Sequence, residues 1–96
     1  MKVTQEIYGF EGKPLNMENG PLSLRTALLR ALGSNLQGDT DLPVEKVMSR
    51  YALAMRISSE ENVTLTPEEV AELRARVAKV WALEVAGGAL KLLNGA

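Results

Sequence analysis

The stretch VTLTPEEVAELRARVAKVW, residues 63–81, constrains the fold more than any other because it carries its own start signal. Thr66 and Glu69 have the spacing of a capping box, in which each side chain satisfies the other residue's free backbone N–H. Pro67 falls at the first helical position, where its missing N–H costs nothing. Glu68, Glu69 and Glu72 favour the positive end of the helix dipole. At about 100° per residue, Val70, Leu73, Val77, Val80 and Trp81 share one face, and Ala71, Ala75, Ala78 and Ala82 line an adjoining one. A helix with two packing faces asks for two neighbours.

The rest of the chain reads as short elements around it. Val3, Ile7 and Phe10 sit among β-formers, which predicts a short edge strand, and the Gly12, Pro14, Asn19, Gly20 and Pro21 cluster predicts turns that fold it back as a hairpin. Ser23 is placed to cap a helix ending at Gly33, with Leu24, Ala27, Leu28, Ala31 and Leu32 on one side. A second helix is expected from Pro43 to Ser58, with Asp41 or Leu42 at its cap. Its apolar stripe is Val44, Val47, Met48, Tyr51, Ala52 and Met55, and Leu53 and Ile57 fall outside it. The extended composition of residues 62–65 suits pairing with the N-terminal strand. Gly87-Gly88 breaks or kinks the third helix, and Ala89 to Leu93 resumes a helical pattern.

These readings give a mainly α fold, a small three- to four-helix domain with a short N-terminal β strand or hairpin. Residues 1–96 form one domain, with a strand-and-loop arm at 1–22 and helices at 23–33, 43–58, 67–86 and 88–94.

Composition removes many functions. The chain has no cysteine and no histidine, so disulfides, thiolate metal sites and the usual neutral-pH general base are excluded. Eleven basic and twelve acidic residues leave a net charge of −1, which gives no field to draw nucleic acid or an anionic membrane. No apolar run approaches the roughly 20 residues that span a bilayer, and the first residues lack a signal-peptide pattern, so the expectation is a soluble, cytosolic protein. The adjacent pairs Glu60-Glu61 and Glu68-Glu69 point apart on a helix, and capping already explains the second. Asp39 and Asp41 in GDTDLP lack the later ligands of a calcium loop. No catalytic residue, metal site or cofactor is expected, and the chain reads as a non-enzyme.

A helix-turn-helix reader of DNA is the weakest alternative, since about eight residues separate the second and third helices and glutamates open the third. A ligand-binding alternative is an oligomer whose protomer junctions bury a small anionic molecule such as a nucleotide, with Arg74, Arg76 or Lys79 as donors; separately, Trp81 and Gly87-Gly88 could border an apolar pocket. The leading reading comes from the amount of apolar surface, because a small four-helix monomer has little interior to hide it. It predicts a homo-oligomer joined through Ala71, Ala75, Ala78 and Ala82 together with Leu90 and Leu93, which Ala75→Glu should dissociate.

GFEGKPL at 9–15, PLSLRTALLRAL at 21–32, EKVMSRYALAMRI at 45–57 and VTLTPEEVAELRARVAKV at 63–80 resemble, over nearly the whole chain, a group of small proteins encoded by tailed phages and prophages. In that group the pieces run as Asp-Gly-Lys-Pro, a Leu-Arg-x-x-Leu helix, Tyr-x-Leu-Ala-x-Lys-Ile, and a Thr-x-Glu-Glu helix ending in Gly-Lys. Here Glu11 stands for the acid of the first piece, Arg56 takes the lysine place, and Ala78-Lys79 departs from Gly-Lys. The resemblance implies a phage origin, residence in the host cytoplasm or on the virion, and three roles. These are a virion assembly factor bound to a phage structural protein, an inhibitor of a host protein, and an oligomer that sequesters a nucleotide signal.

Overall fold

The computed structural model describes residues 1–17, 20–34 and 42–94. The turn expected around Asp39 and Asp41, and the turn residue Asn19, lie outside them. Four helices follow an N-terminal arm: α1 (Leu24–Gly33), α2 (Val44–Ser59), α3 (Pro67–Val80) and α4 (Leu83–Asn94). The arm carries a two-stranded antiparallel ladder, β1 (Asn16–Met17) and β2 (Gly20–Pro21), in which Asn16 faces Pro21 and Met17 faces Gly20.

Helix α1 is central and packs against α2, α3 and α4, while α3 also packs on α4. Its start is the expected one, with the Ser23 hydroxyl accepting from the Thr26 N–H at 3.2 Å. Leu24, Ala27, Leu28, Ala31 and Leu32 are all buried, as their spacing requires. The capping box of α3 forms in full: Glu69 N–H donates to Thr66 Oγ1 at 3.2 Å and Thr66 N–H to Glu69 Oε1 at 2.9 Å.

The arm runs as a strap across the helices. In place of a continuous strand from Val3 to Phe10 there are isolated antiparallel bridges, Lys2 with Asn62, Glu6 with Ser23 and Tyr8 with Pro14. Val3 N–H donates to the Glu61 carbonyl at 3.0 Å and Val63 N–H to that of Met1 at 2.8 Å, so the beginning of the chain pairs with its middle, as expected. Ile7 N–H donates to the Leu22 carbonyl, and Leu15 N–H to that of Ile7. Val3, Ile7 and Val63 thereby enter the same buried core as Leu28, Leu73 and Leu93. Phe10, the third apolar residue of the expected strand, is instead 77% exposed beside the turn at Gly12, whose φ of 76° suits glycine.

Helix boundaries differ from the expected ones, most of all between α3 and α4, where α4 starts at Leu83 and not at residue 88. Helix α2 begins at Val44 with Pro43 at its cap. Helix α3 stops at Val80, where Trp81 turns extended (φ −103°, ψ 149°), six residues before the glycine pair expected to break it. The cause is the indole: Trp81 Nε1 donates to the Ala27 carbonyl at 3.0 Å, and Arg30 lies 5.8 Å over its ring. Gly87 and Gly88 then fall inside α4. Gly88 is there for close approach, since a Cβ at that position would lie 2.5 Å from Ile7 Cγ2 and 3.1 Å from the Tyr8 carbonyl oxygen. A Cβ on Gly87 would meet nothing within 4 Å.

The two glycines should therefore respond oppositely to alanine. Gly87→Ala is expected to raise stability by about 0.5–1 kcal/mol, the helical cost of glycine. Gly88→Ala should lower it by about 1–3 kcal/mol through overpacking against the strap. Chemical denaturation of both variants checks the pair, and equal shifts would contradict the close approach.

Candidate functional site

The inner face of α2 is set by a row that begins charged and ends apolar. Lys46, Arg50, Leu53 and Ile57 follow one another at four, three and four residues, so they share a face. Leu53 and Ile57 are buried in the core against α1. Lys46 Nζ and Arg50 Nε reach Glu72 Oε2 on α3, at 2.9 and 3.1 Å. Burial pushes the Glu72 carboxyl up, but the hydrogen bonds and charges of Lys46 and Arg50 outweigh it and hold its pKa below the ordinary carboxylate value. Glu69 behaves alike: burial raises it, while the Thr66 N–H and the Arg56 guanidinium, 2.7 Å from Oε2, lower it further. Both carboxylates are thus fastened as anions in structural pairs, the opposite of a carboxyl poised near neutrality to exchange protons.

This arrangement turns the expected apolar stripe outward. Val44 is 73% exposed, Val47 49%, Met48 59%, Tyr51 62% and Met55 50%, and Ala52 is exposed beside them. The apolar stripe of α2 is its solvent face, and the two residues off that stripe, Leu53 and Ile57, are its anchor. A charged row half-way down the inner side explains the inversion, because Glu72 supplies two partners there and Arg25 caps the far end. Arg25 Nε donates to the Ile57 carbonyl at 2.9 Å and its Nη2 to that of Glu60 at 2.8 Å, satisfying carbonyls that no helical N–H reaches. Between α1 and α2 a cleft of about 520 Å³ opens onto the same face, with Leu29, Leu32, Leu42, Val47, Tyr51 and Ala54 on its apolar wall and Ser34, Arg50 and Arg76 on its polar one.

The residues singled out for ligand binding are not brought together. Arg76 is buried, and its guanidinium donates to the C-terminal carbonyls of α1, Nε to Ala31 at 2.8 Å and Nη2 to Ser34 at 2.5 Å. In the protomer it complements the negative end of the α1 dipole. Arg74 and Lys79 are exposed, with Arg74 about 200° around α3 from Arg76, and Trp81 is half-buried against α1. The expected alanine interface is only partly a surface. Ala71, Ala75 and Ala78 are exposed on α3, Ala82 is exposed in the turn beyond it, Leu90 is half-buried, and Leu93 is a core residue of the protomer at 1% exposure. The row is shorter than expected because α3 ends at Val80, and Leu93 faces inward because α4 starts at Leu83 and packs on α3.

Among the described residues no group of three or more acidic side chains could hold a metal ion, and no helix is long and apolar enough to cross a membrane. Compared with known proteins, the chain matches no family model, no curated protein and no solved structure.

Arg76→Met should cost about 2–4 kcal/mol, because it strands buried carbonyls that the guanidinium satisfies, and Arg76→Lys should recover little of it for want of the fork. Urea unfolding measures both. For Glu72, a folded pKa below the unfolded one means stability that is full above the unfolded value, about 4.3, and is lost as pH falls through the folded value. Glu72→Gln should therefore flatten the acid limb of the melting temperature below the ordinary carboxylate range, at a neutral-pH cost of about 1 kcal/mol or less. An unchanged acid limb would show that the pair contributes nothing.

Proposed function

We propose that this chain is a phage-encoded, non-enzymatic protein that acts by binding a protein partner, a second copy included, and that α2 presents the binding surface. The observation that carries this reading is the outward row of Val44, Val47, Met48, Tyr51 and Met55 on a helix whose inner side is already fastened. Five large side chains, each half to three-quarters exposed, leave on the order of 500 Å² bare, at the upper end of what a monomer leaves exposed. Tyrosine and methionine are also residues that interface centres favour. A role as accessory factor, host-directed inhibitor or virion assembly factor suits such a surface, and the resemblance to phage and prophage proteins supports that range.

The nucleotide-sequestering alternative loses its strongest donor, since Arg76 is engaged with carbonyl oxygens inside the protomer. The DNA-reading alternative loses the cations of α2 in the same way, because Lys46 and Arg50 are directed at Glu72.

A photo-reactive residue placed at Tyr51 and, as a control, at exposed Arg74 tests the assignment in cells. A protein adduct is expected at position 51 and not at position 74. Adducts at neither, or at position 74 alone, would overturn it.

A further inference from the structure

The outward row of α2 also specifies what kind of partner fits it. Val44, Met48, Tyr51 and Met55 are spaced by four, three and four residues, the alternation of a seam that packs against another helix. The same row read backwards has the same spacing. If a second α2 is laid antiparallel on the first with a two-fold axis between Met48 and Tyr51, Val44 meets Met55 of the second copy and Met48 meets its Tyr51. Both layers then repeat on the other side of the axis, as an isologous interface requires. Each layer joins a smaller or more pliant side chain to a longer one, so no layer sets two tyrosines or two valines against each other.

The flanks of the seam agree with this. The positions bordering it are Glu45, Val47, Ala52 and Ala54, so in the antiparallel register Glu45 lies beside Ala52 of the second copy and no like charges meet. Lys46 and Arg50 are turned away toward Glu72 and Arg56 toward Glu69, so the cations of the helix do not have to be stripped of water. Two such faces bury about 1,000 Å² in total, the size at which a specific interface begins. Val47 and Tyr51 belong both to the face and to the wall of the cleft beside α1, so a second copy would cover the mouth of that cleft as well.

Resting on the reading of α2 as the binding surface, we infer that the occupant of this surface is a second copy of the chain, paired antiparallel through α2 to give a two-fold dimer. The alanine row of α3 stays outside the contact. Helix α1 of each protomer then lies behind its own α2, and the dimer leaves the α4 side and the exposed Phe10 turn free on both protomers.

Native mass spectrometry of the full chain reads the subunit count. A dimer is expected for the natural sequence, conversion to monomer with unchanged helical circular dichroism for Tyr51→Glu, and a retained dimer for Ala75→Glu. Because the chain contains no cysteine, orientation follows from single-cysteine variants oxidised alone or mixed. Val44→Cys and Met55→Cys should cross-link when mixed and not separately, since in the antiparallel register each is far from its own copy and near the other. A monomeric natural chain, a dimer lost on Ala75→Glu but kept on Tyr51→Glu, or Val44→Cys joining to itself would each overturn the inference. A monomer whose position 51 still photo-cross-links to a different protein would leave the broader reading of α2 standing and remove only the second copy.

Discussion

The architecture depends on guanidinium groups that close the ends of helices. In a bundle with short helices, a large share of the backbone sits in terminal turns whose carbonyls have no partner along the helix. Here α3 sends Arg76 into the end of α1, and α1 sends Arg25 to the end of α2. Each arginine supplies both hydrogen bonds and positive charge where the helix dipole is negative. The result is a chain of attachments, α3 to α1 to α2, that holds crossing positions as well as burying surface. No buried side-chain polar atom among the described residues is left without a partner.

Much of the fold was legible in the sequence wherever a local signal and the tertiary environment agreed. Ser23 and the Thr66, Pro67, Glu69 set start their helices where chemistry alone says they should, and the α1 stripe is buried to the residue. The pairing of the first residues with 62–63 was also readable, from β-formers at both places. Helix α2 was misread because periodicity identifies an apolar face without saying what it faces. The deciding signal was present but quieter: Lys46 and Arg50 continue the row of Leu53 and Ile57, and an acid at Glu72 on the next helix can receive both. Arg76 shows the same limit, since a cation at the centre of a helix reads as solvent-facing until the end of another helix is placed against it. The break at Trp81 depended on a hydrogen bond to Ala27, 54 residues away, which no local pattern records.

Helix α2 also shows how an amphipathic helix can be held with its apolar side out. Burial of Leu53 and Ile57 provides the hydrophobic part, and the paired charges keep the first half of the helix from rolling that side inward. Rolling it would expose two buried aliphatic side chains and separate Glu72 from both cations. The outward row is therefore a property of the whole packing, which is what distinguishes a presented surface from a stray exposed residue.

The contact between Ile7 and Gly88 has a consequence for how the protein is born. The strap cannot be covered until the α4 backbone lies against it, and 81 residues separate the two positions. During synthesis, α1, α2 and α3 leave the ribosome while Ile7 still lacks its cover, so an incomplete chain carries a bare hydrophobic strip along its first residues. Closing so long a loop comes late by entropy as well. Helix α4 is therefore the latch that completes the cover of Ile7.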